Sequence, residues 1–255
     1  MAPTSASLWA AARRAFLALF GSIDGAQAWL APGALLGVSG GPTADFNTAL
    51  IDSGADDAVL SEFVDRVKKV GLPAAFMFSS ACAGRLNPIA TELGLTEAGK
   101  APLMALTISS AVAQPAGFAI DRVDDVKVLA LVTDLVADAF EQDRQWVGRT
   151  FCAPALLDSR AFDFFLASKD GEPYSTVTTS AEGTIVGIWS MATPENRRRQ
   201  GAGRAALLAA IEHHRRLGGT TFYLIATPAG KPLYDSVGFR TVEEFPIWVY
   251  QPGAT

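Results

Sequence analysis

A basic turn that contains glycine, set between a strand pattern and a helix pattern, constrains this chain most. The turn runs from Thr193 to Arg204 and carries four arginines together with Gly201 and Gly203. Residues 184–191 before it are rich in β-branched and apolar side chains, and Pro194 cannot donate a ladder hydrogen bond, so a strand ends there. Apolar residues at helical spacing follow as far as residue 217. The sequence therefore predicts a strand, a basic turn and a helix.

The backbone of such a turn favours an anion. A helix start has N–H groups without helical acceptors and carries the positive end of the helix dipole. Glycines allow the backbone to approach a ligand closely, and arginines add full charges. These properties suit a phosphate or pyrophosphate, although a solvated basic loop is the alternative. The turn is not a P-loop, since no Lys-Ser or Lys-Thr follows the glycine, and the third glycine of the dinucleotide fingerprint is missing.

Two motifs resemble a known family. Arg198-x-x-Gly201-x-Gly203 resembles the Arg/Gln-x-x-Gly-x-Gly/Ala signature of the GNAT (GCN5-related N-acetyltransferase) superfamily. The segment from Leu233 to Phe239 is similar to the family's Leu-Tyr-x-x-x-Gly-Phe motif, and residues 222–226 resemble the strand between the two. The resemblance covers about residues 118–250.

The resemblance implies acetyl-CoA as co-substrate and a set of site residues. In the family the loop holds the pyrophosphate, and the pantetheine arm pairs with the preceding strand, which also supplies an N–H for the thioester oxygen. Tyr234 matches the general acid that protonates the leaving thiolate, and a packed aromatic is the alternative. The implied coenzyme contacts are Met191, Ala192, Thr193, Arg198, Arg199, Gln200, Gly201, Ala202, Gly203 and Arg204.

Other expected groups are absent or ambiguous. Residues 187–191 contain no general base, and residues 227–230 read Thr-Pro-Ala-Gly where the family often has an asparagine. Four acidic residues near the first helix of the second half could attract a cationic amine or could form a solvated helix face: Asp134, Asp138, Glu141 and Asp143. His213 and His214 fall late in the helix, and His214 is predicted to be a half-buried packing residue. No metal site is predicted, since Cys82 and Cys152 lack metal-ligand spacing.

Composition excludes several classes of protein. The chain has 255 residues, a net charge of −5 and a pI near 5.1, which argues against general nucleic-acid binding. No run of about 18 uncharged apolar residues suggests a membrane span. Arg13 and Arg14 interrupt the apolar N-terminal residues, so a helix over 7–20 fits better than a signal peptide. Two cysteines suggest a reducing cytoplasm.

The two halves of the chain echo each other. Gly94 precedes Pro102 by the same interval that separates Gly238 from Pro246. The predicted fold is α/β (α+β), with tandem GNAT-like domains, each a central mixed, mostly antiparallel sheet flanked by helices. The predicted domains are residues 1–114, a degenerate copy or scaffold, and residues 118–255, the acetyltransferase. The first half has an acidic turn over 50–58 where the second has its basic loop, and Ala90 at the tyrosine position.

The predicted function is acetyl-CoA-dependent transfer of an acetyl group to a primary amine of a small-molecule or peptide acceptor. Transfer is expected to be direct, since no cysteine falls in the motifs. The alternatives are a non-catalytic acyl-CoA-binding protein and a scaffold with the GNAT fold. No nucleic-acid or membrane partner is expected, and a homodimer is compatible with the sequence.

Local patterns also predict particular elements. Asp52 and Ser53 are expected to cap a helix that ends at Val70. A short helix is expected over 87–93. The chain should close with two separate strands, one at Arg240 and one at Ile247.

Overall fold

The computed structural model describes residues 3–111 and 117–253, which form two compact units. The first unit comprises the chain up to Met104 together with the residues from Ile225 onward, and the second runs from Ala105 to Leu224. Each contains a mixed, mostly antiparallel sheet flanked by helices, as the sequence predicts.

The first unit has the strand order β1-β2-β3-β4-β11-β5. Strands β3 and β4 are parallel, whereas the pairs β1–β2, β2–β3 and β4–β11 are antiparallel. Its elements are α1 (Ser5–Gly21), β1 (Gln27–Ala31), β2 (Ala34–Val38), a 3-10 turn (Ala44–Phe46), β3 (Asn47–Ile51), α2 (Ala58–Val70), β4 (Ala74–Phe78), α3 (Ser80–Glu92), β5 (Thr96–Thr107), whose last three residues belong to the second unit, α8 (Lys231–Val237) and β11 (Arg240–Tyr250).

The second unit has the strand order β10-β9-β8-β7-β6, in which β10 and β9 are parallel and the other pairs are antiparallel. Its elements are β6 (Ala119–Val123), α4 (Val126–Phe140), α5 (Arg144–Arg149), α6 (Ala155–Asp158), β7 (Phe162–Lys169), β8 (Glu172–Glu182), β9 (Ile185–Ala192), a 3-10 turn (Glu195–Arg197), α7 (Ala202–Arg216) and β10 (Thr221–Ile225), whose last residue belongs to the first unit.

The compact units divide the chain differently from the predicted domains 1–114 and 118–255. Strand β11 pairs with β4, with Trp248 opposite Phe76, so the C-terminal strand belongs to the first unit. Local patterns identify a strand but not its partner, which explains why the sequence did not show this pairing. Of the predicted boundary segment Pro115–Gly117, the first two residues lie outside the described part of the chain. The division by function stays a prediction.

Helices cover both faces of the second unit's sheet. Strand β8 has six consecutive buried residues, from Ser175 to Ser180, whereas a strand with one solvated face would alternate. Both α4 and α7 contact β8, so they cover its two faces. This packing fixes the start of α7 against the end of β9.

Three local predictions are wrong. Asp52 does not cap α2, which begins at Ala58, because the Asp52 carboxylate pairs with Arg13 instead. Helix α3 is longer than predicted and contains Pro88. The two predicted terminal strands form one strand, β11, since Phe245 and Pro246 continue its extended backbone. In the described residues, no helix is long and apolar enough to cross a membrane.

Candidate active site

The strands β9 and β10 separate after a short parallel pairing. They pair at Thr221 with Ile185, Phe222 with Val186 and Tyr223 with Gly187, and no further pair follows. The rest of β9, Ile188–Ala192, keeps its pairing with β8 on one side only. The edge of this segment that lies beyond the pairing with β10 therefore suits an extended ligand that adds as a strand.

A β-bulge lies in the half of β9 beyond its pairing with β10. The register with β8 passes from Trp189 opposite Thr178 to Ala192 opposite Thr176, so β9 has one extra residue there. Ser190 adopts a left-handed backbone with φ 43°, which is uncommon outside glycine. Bulges are over-represented beside active sites because they redirect backbone groups. Met191 and Ala192, two implied coenzyme contacts, follow directly.

The turn after β9 leads into an open helix start. Gly201 occupies the N-cap of α7 with φ 91° and has no side chain to cap the helix, and the first turn contains no acidic residue. The first helical hydrogen bond runs from the Ala205 N–H to the Gly201 carbonyl at 2.9 Å. The N–H groups of the residues between these two have no acceptor within the helix. The helix start therefore fits a phosphate group.

Buried polar contacts hold the start of the turn in position. The Ser175 hydroxyl donates to the Ala192 carbonyl at 2.8 Å and lies 2.8 Å from the Thr193 hydroxyl. A Cβ on Gly203 would lie 3.1 Å from the Met191 Cε and 3.2 Å from the Thr193 Oγ1. Gly203 thus allows the helix start to pack closely against the end of β9.

The arginines of the turn have different surroundings. The Arg198 Nε donates to the Thr193 carbonyl at 3.0 Å and so closes the turn on itself. The guanidinium of Arg197 lies 5.0 Å from the centre of the Tyr174 ring and 3.6 Å from Glu172. Arg199 is exposed and has a left-handed backbone, φ 61°. Arg199 therefore presents its charge at the surface beside the helix start, and Arg198 combines its charge with a structural contact.

An acidic cavity of about 590 Å³ borders the same turn. Its three carboxylates come from α4 and the residue after it: Asp134, Asp138 and Glu141. Two guanidiniums, those of Arg144 and Arg197, also line the cavity. Asp134 pairs with Arg144. The fourth acidic residue of the sequence prediction, Asp143, is not in the lining and instead caps α5 through the Trp146 N–H at 3.0 Å.

Tyr234 lies on α8 in the first unit and is 8% exposed. Burial raises the pKa of its phenol to about 12, so the hydroxyl is protonated at neutral pH. Its ring packs edge-on against Phe239 at 5.9 Å. A packing role and a proton-donor role both agree with these surroundings, and the assignment as general acid stays a prediction.

A family model matches part of the second half of the chain. The model of the acetyltransferase (GNAT) family matches residues 129–239, which include the open turn and Tyr234. Residues 129–239 carry a GNAT domain. No curated protein sequence gives a significant match to this chain. The family match and the fold support acetyl transfer as the activity, and GNAT proteins generally use acetyl-CoA.

Solved structures with a similar fold cover both halves of this chain. A GCN5-related N-acetyltransferase from Kribbella flavida has a TM-score of 0.70 and 18% identity, with 99% of this chain and 98% of that chain covered. One from Sphaerobacter thermophilus has a TM-score of 0.60 and 13% identity, covering 87% and 81%. A tandem GNAT protein from the clavulanic acid biosynthesis pathway has a TM-score of 0.59 and 14% identity, covering 87% and 80%. At these identities the likeness shows the fold, and it agrees with the predicted tandem arrangement.

Sequence reasoning missed two residues that shape the site. Ser190 forms the bulge, and no local signal distinguishes it from its neighbours in an apolar strand. Ser175 anchors the turn from the adjacent strand, which only strand pairing reveals. The implied contacts from Met191 to Arg204 do fall together, at the end of β9 and the start of α7.

Proposed function

We propose that this protein is an acetyl-CoA-dependent N-acetyltransferase that moves an acetyl group directly to a primary amine. The observation that carries the proposal is the separation of β9 from β10 directly before an uncapped helix start. The edge of β9 beyond its pairing with β10 suits an extended arm, and the start of α7 suits its phosphates. The two features lie on one continuous segment of the second unit.

In this proposal the backbone does most of the binding. N–H groups at the start of α7, with Arg199, hold the pyrophosphate, and Arg198 keeps the turn closed through the Thr193 carbonyl. The edge of β9 beyond its pairing with β10 orients the pantetheine arm, and an N–H after the bulge polarises the thioester carbonyl. Tyr234 gives its proton to the leaving sulfur, for which a protonated phenol at neutral pH is required.

Direct transfer agrees with the state of both cysteines. Cys152 is 2% exposed, and burial raises its pKa to about 12. Burial also raises the pKa of Cys82. The thiolate is the nucleophilic form, so neither side chain is suited to carry an acetyl group.

The acceptor proposed here is a cationic amine that approaches through the acidic cavity. The lining of this cavity contains three carboxylates and two guanidiniums, so its net charge is negative. A negative cavity raises the local concentration of cations. Ile188–Ala192 contain no titratable side chain, so in this proposal the amine loses its proton to water. We therefore expect kcat/KM to rise with pH toward the pKa of the amine itself.

Thiol release from acetyl-CoA in the presence of a panel of amines tests the proposal. We expect turnover with at least one di- or polyamine or lysine-containing peptide, and no acetylated protein when the amine is omitted. Coenzyme binding without turnover for any amine would instead favour a non-catalytic acyl-CoA-binding protein. Absence of coenzyme binding in calorimetry would favour a scaffold and contradict the site assignment.

A further inference from the structure

The two histidines of the sequence meet one carboxylate at the far end of α7. His213 and His214 are the chain's full complement of histidines, and both lie in the last turn of this helix. Asp163 lies on β7. Each of the three side chains has one potential metal-ligand atom, a ring nitrogen or a carboxylate oxygen, and these three atoms lie within 4.8 Å of one another. The proposed function uses none of these residues.

The distances match the spacing of ligands around a small divalent metal ion. The His214 Nε2 lies 3.6 Å from the Asp163 Oδ2, which is longer than a hydrogen bond. Two ligands at Zn–N and Zn–O distances of about 2.0 Å in tetrahedral geometry are about 3.3 Å apart. A shift of a few tenths of an ångström would bring these two atoms to the distance that zinc requires.

The Asp163 carboxylate divides its two oxygens between different partners. Its Oδ1 accepts from Arg122 at 2.9 Å, and its Oδ2 faces the imidazole. The second oxygen can therefore act as a ligand while the first keeps its ion pair. The nearby guanidinium lowers the affinity for any cation, so we expect moderate rather than tight binding.

The cluster is buried on one side, at His214, and partly exposed to solvent on the other. His214 is 2% exposed, and its Nε2 lies 2.7 Å from the Thr179 hydroxyl. The Phe165 ring packs edge-on against His213 at 5.3 Å and against His214 at 6.3 Å. His213 and Asp163 are partly exposed, which leaves a path from solvent.

We infer that Asp163, His213 and His214 form a site for Zn²⁺ or a similar borderline divalent ion, with solvent as the fourth ligand. Two imidazoles and one carboxylate are ligands that such ions accept, and three protein ligands leave one open position. The bound ion would connect the end of α7 to β7. Binding requires the His214 imidazole to exchange its hydrogen bond with Thr179 for the metal, and hence fixes its tautomer.

Because the chain contains only two histidines, nuclear magnetic resonance can test zinc binding at this site directly. Full-length protein without an affinity tag is labelled with ¹⁵N, and the imidazole signals are followed as ZnCl₂ is added. We expect both imidazoles to change together and to saturate at one equivalent of zinc. At a zinc concentration 100 times Kd, we expect a rise in melting temperature of about 5 °C or more.

Matched variants separate the site from unspecific binding. His213→Gln and Asp163→Asn should each weaken zinc binding more than about tenfold, since each removes one ligand. Asp170→Asn removes an exposed carboxylate from the turn after β7 and should change nothing. Circular dichroism checks that each variant is folded. The inference would be overturned if neither imidazole changed up to millimolar zinc, or if His213→Gln and Asp163→Asn both bound zinc as tightly as the unmodified protein.

Discussion

The turn after β3 and the turn after β9 connect the same kinds of element but treat the following helix start in opposite ways. Before α2, the Asp56 carboxylate accepts from the Val59 N–H at 3.0 Å, and Asp57 pairs with Arg85. Before α7, Gly201 offers no side chain, and the first turn has no acid. One helix start is thus occupied by the chain's own carboxylate, and the other is open to an external anion.

The strand pairs beside these turns differ in the same sense. Strands β3 and β4 pair at four positions up to Ile51 with Phe78, and the Ser79 N–H still donates to the Ile51 carbonyl at 2.9 Å. Strands β9 and β10 stop pairing at Gly187. At the end of β3, Asp52 pairs with Arg13. The backbone is also closely packed there, since a Cβ on Gly33 would lie only 2.4 Å from the Ala55 nitrogen.

The comparison shows how a repeated topology can keep its shape and differ in binding. In the first unit the polar groups at the strand ends and helix start find partners within the chain, so a ligand would have to displace them. In the second unit no side chain caps the start of α7. The proposed binding therefore depends on which helix start the chain leaves uncapped, and the order of elements alone does not determine it.

Making the second turn resemble the first should have the largest effect. Gln200 stands two residues before α7, as Asp56 stands two residues before α2. Gln200→Asp should weaken coenzyme A binding roughly 200-fold, because a carboxylate about 5 Å from a phosphate costs about 3 kcal/mol. Isothermal titration calorimetry measures the change. Gln200→Asn, which has the same shape and no charge, is the control and should bind far better than Gln200→Asp; equal affinities would argue against an anion at this helix start.

Tyr234 is a second difference between the two units, because the matching position of the first unit is Ala90 and has no hydroxyl. Tyr234→Phe should lower kcat on the order of 10²-fold and leave coenzyme affinity nearly unchanged, since a general acid acts in the transition state. Steady-state rates at saturating substrates measure this effect. Tyr250→Phe, a partly buried tyrosine on β11, serves as the matched control. Full activity of Tyr234→Phe with a lowered melting temperature would make Tyr234 a packing residue.

The arginines beside the open helix start should have a smaller effect. The double variant Arg198→Ala/Arg199→Ala should weaken coenzyme A binding about 30-fold, which corresponds to one charge-assisted phosphate bond of roughly 2 kcal/mol. Its affinity should also depend less on salt, since fewer charges are screened. Arg215→Ala/Arg216→Ala makes the same change of charge at the other end of α7 and should bind normally. Equal weakening by both doubles would point to net charge alone.

The smallest effect is expected in the first unit. Asp56→Ala removes the carboxylate from the start of α2 and should lower the free energy of unfolding by about 1 kcal/mol. Thermal unfolding should show a decrease of about 2–4 °C. Coenzyme affinity should not change, because this helix start is not the binding site. A change in affinity would break the distinction between the two turns.

The sequence was most informative where a pattern is local. The basic turn, Gly201 and Gly203 indicated the helix start, and the Leu-Tyr-x-x-x-Gly-Phe resemblance led to α8. The acidic turn after β3 also indicated that the first half differs. These features depend on residues close together in the chain, whose geometry is fixed by backbone preferences and helix-end chemistry.

The features that the sequence did not provide depend on contacts across strands. The separation of β9 from β10, the Ser175 anchor and the pairing of β11 with β4 all join distant residues. Ser190 at the bulge looks like any other residue of an apolar strand. The meeting of Asp163 with His213 and His214 likewise needs the packing of α7 on β7, since the residues are far apart in sequence.

The number of coenzyme A molecules bound by one chain tests the central claim most directly. Calorimetry of the full-length protein with coenzyme A should give a stoichiometry of one, because the turn after β9 is open and the turn after β3 is filled by the chain's own groups. The Gln200→Asp variant should lose this one site and reveal no other. A stoichiometry of two, or strong residual binding in that variant, would contradict the account.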